Sequence, residues 1–491
     1  MMLLLYTKTV IIKICNLENF DNNSVKENRN MKQIVIEKNN DSVTFLYEQL
    51  YEALKQQIID GDMIAGEKCP SIRKMAEDLS ISVTTVMQSY NQLLAEGYIK
   101  NKVGSGYYVE HINLKHTNED VTKETYQDKS DIFINNQEYI YDEQAFDFKK
   151  WKMCSSKIYT EYGNELLFGS DLKGELSLRT EIAKYLFHSR GVNASPENIV
   201  IAAGTQQSIF HIGRILKKTG INLISLEKPG YNPVRSMFLD AAFNICDVDV
   251  LDNGININAL PNNIKSAVYV NPSNQFPTGV VMPAANRYEI LKWADNNDSY
   301  IIEDDYNSEL RYFGKPLPTI KSLDKKDRVI YLGSFTSTLF AAIKISYMVL
   351  PDELSKIFDN NRNNYSQACS KAEQLTLAYY MSQGYYYTAI RKKRALFTKK
   401  LKAVTEAFDK YKYEGIELLN TNSGLFVTIK INTSTDEKLY IDSAKKLKIF
   451  TDYVEDISNS TQKCIMIYYS YIPLNSIDLI INILFNKWRL L

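Results

Sequence analysis

The sequence predicts a multidomain protein: a small helical module with a two-stranded wing, followed by a large α/β domain with a mostly parallel sheet and a smaller α+β lobe. Three observations carry this. The chain has 491 residues, more than one ordinary core of roughly 100–200 residues holds. Residues 44–110 read as three short helices and a glycine-tipped hairpin, and from Phe146 onward helical runs alternate with short apolar strands.

Composition removes several functions. Lys+Arg and Asp+Glu are both 58, so no whole-chain basic field marks a nucleic-acid binder, and any such role must be local. Apolar residues at 45% and charged residues at 24% exclude a largely disordered or fibrous chain. Cys15, Cys69, Cys154, Cys246, Cys369 and Cys464 are scattered without C-x-x-C spacing, which fits a reducing, cytoplasmic setting. His111, His116, His188 and His211 are too dispersed for a zinc site or a histidine triad, so no metal is expected. The start, MMLLLYTKTVIIKIC, carries Lys8 and Lys13 and lacks a small-residue cleavage site, so it reads as neither signal peptide nor spanning helix. Residues 1–43 are set apart as an extension, in part a misassigned start upstream of Met31. The 34 tyrosines, with abundant Asn, Ile and Lys, are read as genome composition and not as a function.

In the first module, Leu46, Leu50, Leu54, Ile58 and Ile59 recur at helical spacing and Gly61 stops the run. Pro70-Ser71 opens a short helix, SIRKMAEDL, and Ser82 is an N-cap for a third. On that third helix Val83, Val86, Tyr90, Leu93 and Leu94 are expected to face inward, leaving Thr84, Thr85, Gln88, Asn91 and Gln92 outside. Two helices joined at Ser80-Ile81, then the hairpin YIKNKVGSGYYV, make a winged helix-turn-helix. The major groove admits one such helix, where Gln88 can pair with adenine and threonine methyls can touch thymine. Ser82 would start this helix against the duplex, Arg73 and Lys74 would contact phosphates, and Lys100 and Lys102 flank a tip, Gly104-Ser105, able to approach the backbone closely.

Residues 111–145 are polar and aperiodic and read as a linker. Beyond them the strands NIVIAA, NLISLE, SAVYVN, YIIEDD, VIYLGS and YMVLP are separated by helical runs. Such sheets bind ligands at their carboxyl ends. Gly204-Thr205-Gln206 sits between a strand and a helix and can hold a phosphate. NPSNQFPTG around Asn274 is rich in amides, and IIEDDYNSE places Asp304 and Tyr306 just past a strand, where a carboxylate and a phenol suit a protonated ring nitrogen and its neighbouring phenolate.

Residues 46–109 resemble the DNA-binding domain of GntR-family regulators in spacing and punctuation; one departure is Val83, where that family usually has arginine after the capping serine. From about Phe146 to the C-terminus, FGSDLKGELSLRTEIAKYL, GTQQ, KPGYNPVR, NPSNQFPTG, IIEDDYNSELRYFGKPLP and VIYLGSFTSTL resemble the fold-type-I aminotransferase-like domain of the MocR/GabR-like subfamily of those regulators. The resemblance implies large and small lobes, the small one at about 351–491, and pyridoxal 5'-phosphate as cofactor. It implies that Gly204, Thr205 and Gln206 approach the phosphate, that Tyr231 and Asn274 lie near the ring, that Asp304 pairs with the ring nitrogen and Tyr306 with O3, and that Ser334, Thr336 and Lys344 complete the phosphate contacts.

The family pattern breaks at its chemistry. It is close to G-T-F-S-K-T-L; here the stretch is GSFTSTL, with Ser337 where the imine-forming lysine belongs. A hydroxyl forms no imine, so covalent capture and the general base are both lost, and no catalytic residue is assigned. Lys344 replaces an arginine and loses its planar fork. No arginine occurs between Arg394 and Arg489, so the usual substrate-carboxylate clamp is missing, with Arg235 left as an anion contact. The expected function is a cytoplasmic transcription regulator without transaminase activity. Its partners are a double-stranded DNA operator, a second copy of itself and a small-molecule effector, with no membrane. The alternative is an active pyridoxal-phosphate aminotransferase with an accessory DNA-binding domain. Noncovalent cofactor binding is left open by these residues.

Overall fold

The computed structural model describes residues 34, 45–112, 139–312, 317–361, 364–421, 424–454 and 461–491. The expectations for residues 1–33 and for most of the linker lie outside these. The chain divides into two compact units, Met1–Ile132 and Phe133–Leu491.

In the first unit α1 (Leu46–Ile59), α2 (Ile72–Asp78) and α3 (Val83–Ala95) precede a hairpin of β1 (Ile99–Lys102) and β2 (Gly106–Val109). The caps explain where the helices begin. Ser71 accepts from the Lys74 amide at 3.2 Å and Ser82 from the Thr85 amide at 3.0 Å, each satisfying an orphan donor of a first turn. Leu50, Leu54, Ile58, Met75, Leu79, Val86, Tyr90 and Leu93 form one core. The inward stripe of α3 is narrower than the sequence suggests. Val83 and Leu94 are exposed, at 50% and 36%, and Ser89 takes an inner position because its hydroxyl donates to Tyr47 O at 2.7 Å. A core this small has room for one apolar residue per turn, and the first and last turns of α3 overhang it.

The second unit opens with α4 (Phe148–Glu161) and α5 (Leu176–Arg190), then β3 (Ile199–Ala202), α6 (Thr205–Lys218), β4 (Leu223–Lys228), α7 (Asn232–Asp240), β5 (Asn244–Leu251), β6 (Gly254–Ile255) and β7 (Ala267–Val270). It continues through α8 (Ala284–Asn296), β8 (Tyr300–Asp304), α9 (Ile320–Leu323), β9 (Val329–Ser334), β10 (Ser346–Val349) and α10 (Asp352–Asp359). The strands form a sheet in the order β3-β10-β9-β8-β7-β4-β5-β6. β9, β8, β7, β4 and β5 run parallel, while β10 pairs antiparallel with both its neighbours and β6 antiparallel with β5. The central strands are continuous apolar runs because both faces are covered. Val200, Ile224, Ile302 and Met348 pack under α6, α7 and α10, and alternate residues such as Ile201, Tyr331 and Val349 pack against α4 and α5.

α11 (Lys371–Ser382) and the long α12 (Tyr385–Tyr411) lead to a second, antiparallel sheet of β11 (Ile416–Leu419), β12 (Val427–Asn432), β13 (Thr451–Tyr453) and β14 (Gln462–Ile467), ordered β11-β12-β14-β13. α12, α13 (Glu437–Lys445) and α14 (Ile477–Trp488) cover it. The last residues before α4 are fastened to this lobe. Ile140 N–H donates to Lys448 O at 2.8 Å, Tyr139 meets Phe450 edge-on, and Asp142 pairs with the fully buried Lys400 at 2.7 Å.

Buried ion pairs pin helices to the large sheet. Arg190, at the end of α5, makes a two-pronged contact with Asp305 at 2.7 and 2.9 Å, both side chains almost wholly buried. Asp305→Asn leaves that guanidinium without its counter-charge and is expected to cost about 3–5 kcal/mol. All three tryptophans, Trp151, Trp293 and Trp488, lie in the second unit, so urea denaturation followed by tryptophan fluorescence reads this unit alone; a loss below about 1 kcal/mol would contradict the assignment.

Candidate functional site

Strand register brings the expected residues to one edge. Ser346 on β10 lies opposite Ala202 and Ser334, Leu332 on β9 opposite Asp304, Glu303 on β8 opposite Val270, and Tyr269 on β7 opposite Leu226. The segments that follow these positions, carrying Gly204, Asn271, Asn274, Asp304, Tyr306, Thr336 and Ser337, therefore all emerge at the carboxyl end of the parallel strands, where a ligand meets loop backbone instead of a closed ladder.

Gly204 caps α6 with φ +88, a left-handed conformation that a side chain resists, and a Cβ there would meet nothing within 4 Å. The first turn of α6 thus presents free amides to open space, with Thr205 half-buried and Gln206 exposed. Ser334 and Thr336 are half-buried, and the Thr336 amide donates to Ser334 Oγ at 3.2 Å. Lys344 is not on a strand. It stands in the turn before β10 with φ +47, exposed to solvent. Arg235 is spent in an ion pair with Asp247 of β5, which corrects its reading as a free anion contact.

At the end of β8 three acids follow one another, and the alternation of a strand separates them. Glu303 accepts amides of Ile320 and Lys321, each at 2.8 Å, and Asp305 takes Arg190, Ser273, Ser308 and Tyr331. Asp304 points the other way. Among the described residues no cation lies within ion-pair reach of it; Tyr269 donates its phenol to Oδ2 at 2.5 Å. Burial, with repulsion from Asp305, raises its pKa to about 6. Tyr306, beside it, is pushed up to about 12, chiefly by burial, and Tyr231 is raised for the same reason. Tyr231 meets Phe276 edge-on at 5.6 Å, and Phe276 continues through Phe426 to Tyr468 of the small lobe. Asn274 is buried beneath Gly424, whose φ of +88 lets the small-lobe loop come close: a Cβ there would lie 3.2 Å from Asn274 Nδ2.

Sequence reasoning passed over Glu227 and Tyr269. Glu227, the penultimate residue of β4, is fully enclosed and accepts the Asn271 amide at 3.2 Å, with no cation within ion-pair reach among the described residues. Burial raises its pKa to about 8, so it is protonated at neutral pH. Only its place at a strand end, three residues before the Gly230-Tyr231 turn, could have singled it out.

The residues expected at DNA form the surface of the first unit. Arg73, Lys74, Ser82, Thr84, Gln88, Lys102, Gly104 and Ser105 are exposed, Thr85 is half-buried, and the Thr85 hydroxyl is 2.8 Å from that of Ser82. Lys100 is exposed but paired with Glu110 at 2.6 Å, and Lys102 lies over the Tyr108 ring. Among the described residues no group of His, Cys, Asp and Glu could hold a metal, and no helix is long and apolar enough to cross a membrane.

Comparison with known proteins meets this geometry from two sides. Residues 46–109 match the family of bacterial regulatory proteins of the gntR type, and residues 133–455 match aminotransferase class I and II. The HTH-type transcriptional regulator YdeL of Bacillus subtilis is 36% identical over 82% of this chain and 87% of its own length. The probable rhizopine catabolism regulatory protein MocR of Rhizobium meliloti is 29% identical over 80% of this chain and 83% of its own. Among solved structures, a multiple substrate aminotransferase from Thermococcus profundus superposes with a TM-score of 0.62 at 24% identity, covering 71% of this chain and 89% of its own, and so shares the fold.

The buried acid at the site makes a pH-dependent prediction. Glu227 binds its proton up to about pH 8 when folded but releases it near 4.5 when unfolded, so folding loses stability as pH rises through that interval. Glu227→Gln removes this dependence while keeping the shape. The variant is expected to match the wild type near pH 4.5 and to gain progressively to a plateau above about pH 8, at about 1.4 kcal/mol for each pH unit crossed. Thermal melts across pH check this; a gain independent of pH would contradict it.

Proposed function

The chain belongs to the GntR family of regulators that carry a class I and II aminotransferase domain, and we propose that it is a DNA-binding transcriptional regulator of the MocR type whose aminotransferase-like domain senses an effector and pairs two copies without transaminating. The observation that carries this reading is a pair of facts about side chains. The exposed face of α3 offers Thr84 and Gln88 to a groove, and the turn after β9 offers Ser337 where transamination needs an amine.

The residues at the strand ends suit pyridoxal phosphate apart from its covalent bond. Asp304 is a buried carboxylate with no cation within ion-pair reach among the described residues, a charge that a protonated ring nitrogen would supply; Tyr306 stands beside it, and the start of α6 offers amides to a phosphate. Gly204, Thr205, Gln206, Ser334 and Thr336 would hold the phosphate, with Lys344 as an outer charge, while Tyr231 and Asn274 would flank the ring. When bound, this cofactor supplies an electron-accepting ring. Asp304 favours the reading in which it is held noncovalently as a ligand of the sensor. Calorimetry is expected to give binding in the wild type that Asp304→Ala weakens by at least about tenfold, the equivalent of about 1.4 kcal/mol of lost carboxylate pairing; equal binding by both would contradict it.

Two copies bound together place two winged helices on two half-sites and multiply affinity. Ser82, Thr84, Thr85 and Gln88 would reach bases from α3, and Arg73, Lys74, Lys100, Lys102, Gly104 and Ser105 would hold the backbone. Gel shifts on the duplex upstream of the chain's own gene are expected to show salt-sensitive, sequence-specific binding. Gln88→Ala should reduce discrimination by about 1–3 kcal/mol, and Arg73→Ala should weaken all duplexes alike. Absent or salt-insensitive binding would overturn the reading.

A further inference from the structure

A cavity of about 350 Å³ lies beside the Ser337 turn, between that turn, α12, the small-lobe loops and residues 141–148. That is large enough for a small organic molecule. Its walls are mainly apolar, with Phe146, Phe340, Phe397 and Leu425 prominent, and Thr336, Ser337 and Tyr471 supply hydroxyls. Among the described residues one lysine lines it. Lys393 of α12 is buried at 8% exposure, and its Nζ lies 3.0 Å from Ser337 O and 2.6 Å from Leu339 O.

Lys393 differs from the other buried lysines. Lys173 is paired with Asp359 and Lys400 with Asp142, but Lys393 has no carboxylate within ion-pair reach among the described residues. A neutral amine has two N–H groups and one lone pair. Two carbonyl acceptors satisfy both donors and leave the lone pair free. We propose that Lys393 is the carbonyl-capturing amine of this chain, condensing with a small, uncharged aromatic aldehyde lodged in the cavity beside Ser337. The choice of an uncharged ligand follows from the walls: Asp142 is already paired with Lys400, Glu143 is exposed to solvent, and among the described residues Lys393 is the only cationic side chain in the lining, so nothing there besides that amine balances a ligand's charge.

In the condensation the nitrogen lone pair forms a bond to the aldehyde carbon, and the carbonyl π pair moves to oxygen, which takes a proton from nitrogen. The hydroxyl then leaves as water with the second nitrogen proton, and C=N forms. Amine and aldehyde give imine and water, with no oxidant or reductant consumed. Burial, reinforced by the nearby Lys400 charge, lowers the lysine's pKa from 10.5 to about 8. At pH 7 the neutral fraction is then about a tenth, against roughly one in three thousand for a solvated lysine, about a 300-fold advantage. The captured molecule would touch residues 141–148, the stretch that leads into α4.

The proposal rests on the reading that position 337 holds no amine, and its test separates the two. The full-length protein is incubated with benzaldehyde, and in parallel with pyridoxal 5'-phosphate, then reduced with cyanoborohydride and mapped by peptide mass. With benzaldehyde, the expected result is a dominant adduct on Lys393 that Asp304→Ala leaves unchanged. An adduct on Lys393 from pyridoxal phosphate alone, lost in Asp304→Ala, would instead make the strand-end site the source of the aldehyde and overturn the cavity as the ligand's seat. Lys393→Arg keeps donors for both carbonyls and should lower labelling of that peptide at least about tenfold. Labelling of Lys393 no faster than exposed Lys344 in the wild type overturns the proposal, and this outcome needs no variant to fold. Amino-group transfer by the wild type, assayed alongside, would instead overturn the reading of position 337.

Discussion

The site depends on how the end of β8 distributes three consecutive carboxylates. Alternation along the strand sends Glu303 and Asp305 to one face, where amides, Arg190 and hydroxyls absorb their charge. Asp304 faces the other side with a phenol and no cation within ion-pair reach among the described residues. Two acids therefore pin the large lobe together, and the third is left as a buried acceptor for positive charge. Had β8 paired one residue out of this register, the structural and ligand-facing acids would have exchanged faces.

Phenols serve several of the acids in this unit. Tyr269 donates to Asp304, Tyr331 to Asp305, Tyr185 to Glu309 and Tyr300 to Glu353. A phenol can deliver one hydrogen bond into an apolar core without adding charge. The tyrosine excess that reads as genome composition thus has structural uses at these places.

Much of the architecture was legible because its signals are local. The six named strands of the large sheet are apolar runs bounded by turns, and all six appear. β5 escaped because NICDVDVL interleaves acids with apolar residues and sits near the edge of the sheet. Asp304 and Tyr306 were visible as polar residues at a strand end, and Gly204 as a glycine between a strand and a helix. Lys393 was not: in KKRALFTKKLK buried and exposed lysines look alike, and its two partners lie 54 and 56 residues away. Val83 and Leu94 were misassigned because helical periodicity gives a direction and not the extent of the neighbouring core.

The central claim is that an aminotransferase fold here keeps a binding edge for sensing and has given up turnover. Its most direct test follows an isotope-labelled amino group from a panel of amino acids to a keto acid, with the wild-type chain at saturating pyridoxal phosphate. The account predicts transfer no faster than with the free cofactor alone. Multiple turnovers in the wild type that disappear in Asp304→Ala would contradict it.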